Sequence, residues 1–506
     1  MLSKIRESVW GSKMEWSREE RYTRLEDVSE AYISELTKKV SAGPYRQKFH
    51  IQPKTGLLND PNGFSYYNGQ YHLFYQWFPL GPVHGVKYWY HVASDNLVDW
   101  QDLGIAMAPD TEYDSHGVFS GTGFVENDQL HLFYTGNTRT EDWTRIPYQC
   151  HAVMGSDNQI KKDAEPLISD SPIGYTDNFR DPKVIEQVGR YYCIIGAETS
   201  DHQGAIAYYV SEDLKDWTYQ QAIALKGNIA SENQGFMWEC PDYFELADQG
   251  VLLFSPQGME PEGDAYHNIY QSGYLVGEPL DFATGEFQVT EAFNELDRGF
   301  DFYAPQTMTD PQGRQLLVGW LGLPGVDCVT DAFGWAHCLT IPRELSLQNG
   351  KLYQRPVPEL AALRGKAVAK EMKLENETLL AKEFSARTYE LKATFKDIKG
   401  TRVGLAFRKG AEEATYFYYD LAAKKLVFDR SQSGKSVTDE YGTVRRCAFS
   451  EEALEIRLFM DESSVEIFVN DGLEVFTARI YSQSDHNHVQ FFADGQASVT
   501  ATQWEI

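Results

Sequence analysis

The feature that most constrains the fold of this chain is a strand-rich unit that recurs five times in residues 45–350. Each copy contains a β-patterned segment introduced by a turn, and the copies follow one another at intervals of about sixty residues. A second shared element precedes each segment by about ten residues. The segments are GQYHLFYQ (69–76), DQLHLFYTG (128–136), GRYYCIIGA (189–197), QGVLLFSP (249–256) and GRQLLVGW (313–320); the preceding elements are NDPNGF at Asn59, SGTGFV at Ser120, RDPKVI at Arg180, ECPDYF at Glu239 and YAPQTM at Tyr303.

A small sheet repeated at this period cannot bury both of its faces alone, so successive copies must pack against one another around an axis. No helical pattern separates the strands, which argues against a parallel α/β fold. The repeats therefore predict a five-bladed β-propeller over residues 45–350.

The remaining segments have different patterns. Residues 17–40 carry apolar residues at helical spacing, and Ser17 with Glu20 forms a capping box, so one amphipathic helix is expected within an N-terminal extension, 1–44. The proline-containing segment RPVPELAALR indicates a linker at 351–365. Alternating strands at 366–506, including a hairpin that turns at Asn470, Asp471 and Gly472, predict a β-sandwich with a structural role. The expected fold class is all-β with a short N-terminal helix.

Composition restricts the partners. A net charge of -28 opposes nucleic acid and anionic membranes as general partners, and leaves a small-molecule substrate. The six cysteines lack the spacing of a zinc site or a disulfide framework. No secretory signal or membrane-spanning segment is recognisable, so a cytoplasmic location is expected, with homo-oligomerisation left open.

Three carboxylates carry the chemistry. In a propeller the first strand of every blade lines the axis, so Asp60, Asp181 and Glu239, which lie in three of the shared elements, should meet in one funnel. Acids before proline also cap turns, and a metal site is another use of clustered acids. Their recurrence in the repeats favours a catalytic use, and neither a metal nor a cofactor is expected. Glycoside hydrolysis needs such a pair, one ionised and one carrying a proton.

The ordered set NDPNG, FSG, RDP and ECP, together with SSVEIFVNDG, resembles glycoside hydrolase family 32, the invertase and fructanase family, and within it the bacterial sucrose-6-phosphate hydrolases. The resemblance implies a retaining β-fructofuranosidase. It implies that Asp60 is the nucleophile, Glu239 the acid/base and Asp181 a transition-state stabiliser. It further implies substrate contacts from Leu57, Leu58, Asn59, Gln76, Phe119, Ser120 and Arg180.

These roles carry physical expectations. Asp60 should have a low pKa, with Asn59 and Asn62 as candidate donors, and the negative neighbours of Glu239 should favour its protonated form. Retention predicts a separation of roughly 5 to 5.5 Å between the Asp60 and Glu239 carboxyl groups. Tyr303 and Trp320 either border the sugar or pack in the core.

His84, within GPVHGVKYW, stands where many members of the family have tryptophan. We hypothesise that His84, Lys87 or another cation near the rim of the funnel holds a 6-phosphate. Three alternatives stay open: a fructosyltransferase, a five-bladed arabinan-degrading hydrolase, and a carbohydrate-binding propeller without catalysis. Short fructans are also possible substrates beside sucrose and sucrose-6-phosphate.

Overall fold

Five sheets surround a common axis in the computed structural model, which describes residues 15–229, 233–438 and 440–506. The innermost strand of each sheet contacts that of the next, and the first contacts the fifth, so the ring is closed. The predicted five-bladed propeller is confirmed. Within the described ranges, no helix is long and apolar enough to cross a membrane.

Blades 1 to 3 are antiparallel four-stranded meanders. From the axis outwards, the strands of blade 1 are Gly56–Tyr67, Gln70–Phe78, Tyr88–Ser94 and Gln101–Met107. Those of blade 2 are Val118–Glu126, Gln129–Arg139, Arg145–Met154 and Ile160–Lys162. Those of blade 3 are Tyr175–Gln187, Arg190–Thr199, Gly204–Ser211 and Thr218–Ala222.

Blades 4 and 5 follow the same plan with additions. Blade 4 gains a parallel outer strand, and a short strand from the end of the propeller pairs in parallel with the innermost strand of blade 1. The strands of blade 4 are Met237–Leu246, Gln249–Gln257, Gly273–Gly277, Glu286–Glu295 and the added Ala224–Gly227; those of blade 5 are Tyr303–Thr309, Gln315–Leu321, Arg343–Gln348 and Lys351–Pro356, with Cys338–Leu339 on its second strand and Trp335–Ala336 on blade 1.

Every innermost strand carries a β-bulge at the shared element. In blade 4, for example, Glu239 pairs with Ser255 but Asp242 pairs with Leu253, so one strand has an extra residue. The other four innermost strands skip a residue at the corresponding place. A bulge redirects a side chain and bends the strand. Alignment of the shared elements NDP, FSG, RDP, ECP and YAP makes Asp60, Ser120, Asp181, Cys240 and Ala304 equivalent in sequence, and each is one of the two residues that its bulge leaves unpaired.

The apolar core lies mainly between neighbouring blades. One cluster joins blades 1 and 2 through Phe74, Trp89 and Leu132, and others join each later pair. The cluster between blades 5 and 1 includes Trp320 and also packs against the N-terminal segment. This arrangement places the bulged strands on a rigid, closed scaffold.

The N-terminal segment differs from the single helix expected at 17–40. It forms a helix at Arg18–Arg21, a 3-10 turn at Leu25–Asp27 and a second helix at Glu30–Ala42. The predicted Ser17 and Glu20 capping box is present. Ser29 is the N-cap of the second helix, since its side chain accepts a hydrogen bond from the backbone N–H of Tyr32. This cap divides the segment 17–40 into two helices.

The C-terminal region has the expected sandwich-like architecture. Two long strands pair with each other over most of their length and take part in both layers. They change register near Gly400 and Gly495, both with positive φ, where the backbones approach too closely for a side chain. The strands are Ala367–Ala381, Tyr389–Lys409, Ala414–Asp420, Lys425–Gln432, Val444–Ala448, Leu454–Met460, Ser464–Val469, Glu474–Arg479 and His488–Glu505, preceded by a 3-10 helix at Pro358–Leu363; a further one, Val329–Phe333, lies in the propeller.

Buried ion pairs join the two regions. His50 Nδ1 lies 2.7 Å from Asp461 Oδ2, and its Nε2 lies 3.0 Å from Glu466 Oε1. Arg343 also contacts Glu466, and its Nη1 lies 3.2 Å from Asp297. A buried charge is tolerated only with partners, so these contacts fix how the propeller and the sandwich meet.

Candidate active site

The bulged strands bring the three predicted carboxylates together at one end of the axis. The thiol of Cys240 lies between two of them, 3.9 Å from Asp60 Oδ2 and 3.6 Å from Asp181 Oδ2. The backbone N–H of Cys240 donates to Asp181 Oδ2 at 2.9 Å. Glu239 is the neighbour of Cys240 in the chain, and it lies one residue before the position equivalent to Asp60 and Asp181.

Both oxygens of Asp60 are held by side chains. Ser120 donates its hydroxyl hydrogen to Oδ2, and Asn59 Nδ2 donates to Oδ1 at 3.1 Å. Gln76 connects these two donors, since it accepts from Asn59 at 3.0 Å and donates to Ser120 Oγ at 2.6 Å. Lys87 Nζ donates to Asn59 Oδ1 at 2.7 Å. The network fixes the orientation of the Asp60 carboxyl group.

The low pKa expected for Asp60 is not what this environment produces. Burial raises the pKa of Asp60 above its ordinary value and the charge of Glu239 adds to this, against hydrogen bonds from Ser120 and Asn59 and the charge of Lys87. Asn62 does not help, because its Nδ2 donates to the backbone carbonyl of Asp60 at 2.8 Å rather than to the carboxyl group. Burial also lowers the pKa of Lys87, to about 7, although Asp60 opposes the effect.

The pKa of Asp181 is affected by the same burial and the same neighbouring acids. Burial raises the pKa of Asp181, Arg180 opposes this, and the charges of Glu239 and Asp60 raise it further. Several acidic groups held close together cannot all carry full charge in a poorly solvated pocket. Such a cluster is typical of a functional site rather than of a stabilising one.

Glu239 is surrounded by hydrogen-bond donors. Arg180 binds Oε1 through Nη2 at 2.7 Å and Nε at 3.0 Å, while Gln257 Nε2 and the Tyr303 hydroxyl each donate to Oε2 at 2.5 Å. These contacts fix the orientation of the Glu239 carboxyl group. Burial and Glu239 raise the pKa of Tyr303, so its hydroxyl remains a donor.

The predicted substrate contacts occupy two kinds of position. Phe119 and Ser120 lie on the innermost strand of blade 2, and Arg180 is tied to Glu239. The side chains of Leu57 and Leu58 are buried, the first against Cys328 and Ala336 and the second among the apolar residues between blades 5 and 1.

Sequence reasoning did not single out Gln257 or Cys240, placed Lys87 at a phosphate rather than against Asn59, and left Tyr303 undecided. The signal for Cys240 was its position, equivalent to that of Asp60. Trp320 is buried, with its ring 6.0 Å from that of Tyr303, so it supports the site from behind.

Lys87 is buried, and His84 is half-buried. Burial holds the pKa of His84 well below its ordinary value, and His84 Nε2 has no hydrogen-bond partner among the described residues. Lys87 is buried against Asn59. Over the same ranges, no group of three or more His, Cys, Asp or Glu side chains is arranged to hold a metal ion.

A closed five-bladed propeller with paired acids at the end of its axis, followed by a sandwich, defines the class of propeller glycosidases. The comparisons assign the family. The N-terminal domain model of glycosyl hydrolases family 32 matches residues 50–356, and the C-terminal model of the same family matches 359–505. The chain belongs to glycoside hydrolase family 32.

Its relatives cover almost its whole length. The sucrose-6-phosphate hydrolase of Staphylococcus xylosus is 43% identical over 97% of this chain and 99% of its own. The structure of the sucrose-6-phosphate hydrolase from Lactobacillus gasseri is 37% identical, with a TM-score of 0.90 over 97% of this chain and 99% of its own. A Bombyx mori beta-fructofuranosidase mutant of the same family, in complex with sucrose, is 33% identical, with a TM-score of 0.80 over 94% and 97%.

Proposed function

We propose that this protein is a retaining β-fructofuranosidase that hydrolyses sucrose-6-phosphate and sucrose to fructose and glucose 6-phosphate or glucose. The observation that carries the proposal is the convergence of Asp60, Asp181 and Glu239 on one buried site, with donors oriented on each of them. The activity of the related sucrose-6-phosphate hydrolases supports the proposal, because their similarity to this chain covers the sandwich as well as the propeller.

The residues suit a two-step displacement. Asp60 attacks the anomeric carbon of the fructosyl unit, and Glu239 gives its proton to the departing glucosyl oxygen as that bond breaks. Glu239, now ionised, then takes a proton from a water molecule, whose oxygen displaces Asp60 and releases fructose. The donors around Glu239 stabilise it in this second step, and Ser120 and Asn59 keep Asp60 aimed for the first. Asp181 is proposed to bind fructosyl hydroxyl groups.

Kinetics with purified protein test the proposal. We expect Asp60→Asn and Glu239→Gln to lower kcat/KM for both substrates by about 10³-fold or more, because nucleophile and acid act as a unit. Asp128→Asn is the matched control, an exposed acid at a turn of blade 2. Full activity of Asp60→Asn would refute the assignment. Trapping with methanol should give methyl β-fructofuranoside, whereas the α-anomer would indicate inversion.

We also propose a cytoplasmic location. All six cysteines are free thiols in the structure, as in proteins of reducing compartments. A charged sugar phosphate does not cross a bilayer unaided, so an enzyme for it works where it is formed. Fractionation of the native cells would place the protein.

A further inference from the structure

Two arginines at the rim of blade 2 have no acidic partner. Arg139 ends the second strand of the blade, Arg145 begins the third, and the two face each other across the hairpin. Among the described residues neither forms an ion pair with a carboxylate, and the Nε of each is buried without a hydrogen-bond acceptor. The Nη1 of Arg139 donates to the backbone carbonyl of Trp143 at 3.2 Å. In a chain with 74 acidic and 46 basic residues, two opposed cations left unpaired are unusual. Like charges directly opposite each other destabilise a hairpin. A bound anion would relieve the repulsion between these two arginines.

Arg145 is connected to the site of the catalytic acids through Asn178. Its Nη1 donates to Asn178 Oδ1 at 2.9 Å, and the same oxygen accepts from Arg180 Nη1 at 2.8 Å. Arg180 in turn binds Glu239. On its other side, the Arg145 guanidinium lies 5.9 Å from the centre of the Phe119 ring. Arg145 is therefore linked through Asn178 and Arg180 to Glu239, the residue proposed to protonate the leaving group.

The environment of Arg145 is electropositive. Burial, and then the charges of Arg180 and Arg139, lower the pKa of Arg145 to about 10, although Asp177 and Glu239 oppose this. Arg139 also lies within the electrostatic reach of His116 and lowers its pKa, after the larger effect of burial. Both arginines are partly exposed, so a ligand from solvent can approach them. An anion at their exposed edges would balance their charge, and guanidinium groups bind phosphate in a bidentate fashion.

We propose that Arg139 and Arg145 bind the phosphomonoester of the substrate's leaving group. This inference rests on the proposed function, since it identifies which part of the same site recognises the 6-phosphate of the glucosyl unit. It replaces His84 and Lys87 as the assigned cations: His84 is neutral at physiological pH, and Lys87 is bound to Asn59 on the fructosyl side. The hairpin holds both arginines on strand ends, so the pair is positioned before substrate arrives.

The test compares Arg139→Gln, Arg145→Gln and Arg145→Lys with the wild type on sucrose-6-phosphate and sucrose. For each glutamine variant we expect the ratio of kcat/KM on the phosphorylated to that on the free sugar to fall about ten- to a hundredfold. Arg145→Lys, which keeps the charge, should retain part of the ratio. Arg190→Gln is the control, an exposed arginine of blade 3 with the same change in charge.

The outcomes separate the two proposals. If wild type hydrolyses neither sugar, the proposed function fails; if it hydrolyses both but the ratio is unchanged in the glutamine variants, only the phosphate site is wrong. An equal loss on both sugars would make Arg145 a positioning residue for Arg180 and overturn the inference. Should the glutamine variants not fold, Arg145→Lys and product inhibition decide the matter. Glucose 6-phosphate must then inhibit the wild type more strongly than glucose or inorganic phosphate, and Arg145→Lys must reduce this difference.

Discussion

Removal of His50 should abolish a pH-dependent part of the stability that joins the propeller to the sandwich. Burial opposes the charge of this imidazole, but hydrogen bonds and charges from Asp461 and Glu466 prevail and raise its pKa from 6.5 to about 9. Because the folded pKa lies above the unfolded one, the stabilisation is complete below about pH 6.5 and is lost as the pH rises through 9. Each pKa unit corresponds to 1.36 kcal/mol, so the loss amounts to about 3 kcal/mol.

Urea unfolding at intervals from pH 6 to pH 10 measures this effect. We expect the wild type to lose about 3 kcal/mol more than His50→Gln over that range, with the steepest fall between pH 7 and 9. Comparison with the variant removes the contributions of groups common to both proteins, such as Lys87, whose lowered pKa acts in the opposite direction. Identical pH dependence in the two proteins would show that His50 is not held as a cation, and the reasoning would fail.

Two further predictions concern the site. Ser120→Ala removes a donor to Asp60, so the acidic limb of the kcat/KM profile should move up by about one pH unit; Ser94→Ala, a buried serine of blade 1, is the control, and an unmoved limb would contradict the role of the hydroxyl. Gly196→Ala would place a methyl group 2.2 Å from the carbonyl oxygen of Trp238, the residue before Glu239, and must displace that strand. We expect kcat/KM to fall at least about tenfold in folded protein, while Gly155→Ala, whose added carbon would meet only a side-chain oxygen at 3.1 Å, changes little; equal activities would show that the strand adapts.

The propeller could be predicted because its signal is periodic. Turn-introduced segments such as GQYHLFYQ became the second strands of the blades, and the acid-bearing elements became the first. The hairpin at Asn470, Asp471 and Gly472 also follows from local residue preferences, since all three adopt positive φ. The prediction of a single helix at 17–40 was wrong, because the spacing of apolar residues does not reveal that a second helix begins after the N-cap Ser29.

The electrostatics of the site could not be predicted from the sequence. The positions of Asp60 and Glu239 in the repeats show that the acids converge, but not how deeply they are buried or which donors reach them. Tyr303 and Gln257, which donate to Glu239 together with Arg180, come from two different blades. Contacts between side chains of different blades depend on three-dimensional packing, and they leave no repeating pattern in a single sequence.

The extra residue in each axial strand has a consequence for the charge at the axis. The same β-bulge occurs in all five innermost strands, and each bulge places one residue near the axis. These residues are Asp60, Ser120, Asp181, Cys240 and Ala304. Two of the five positions, Cys240 and Ala304, carry uncharged side chains. Electrostatic repulsion at the axis is therefore limited to the acids that the proposed reaction uses.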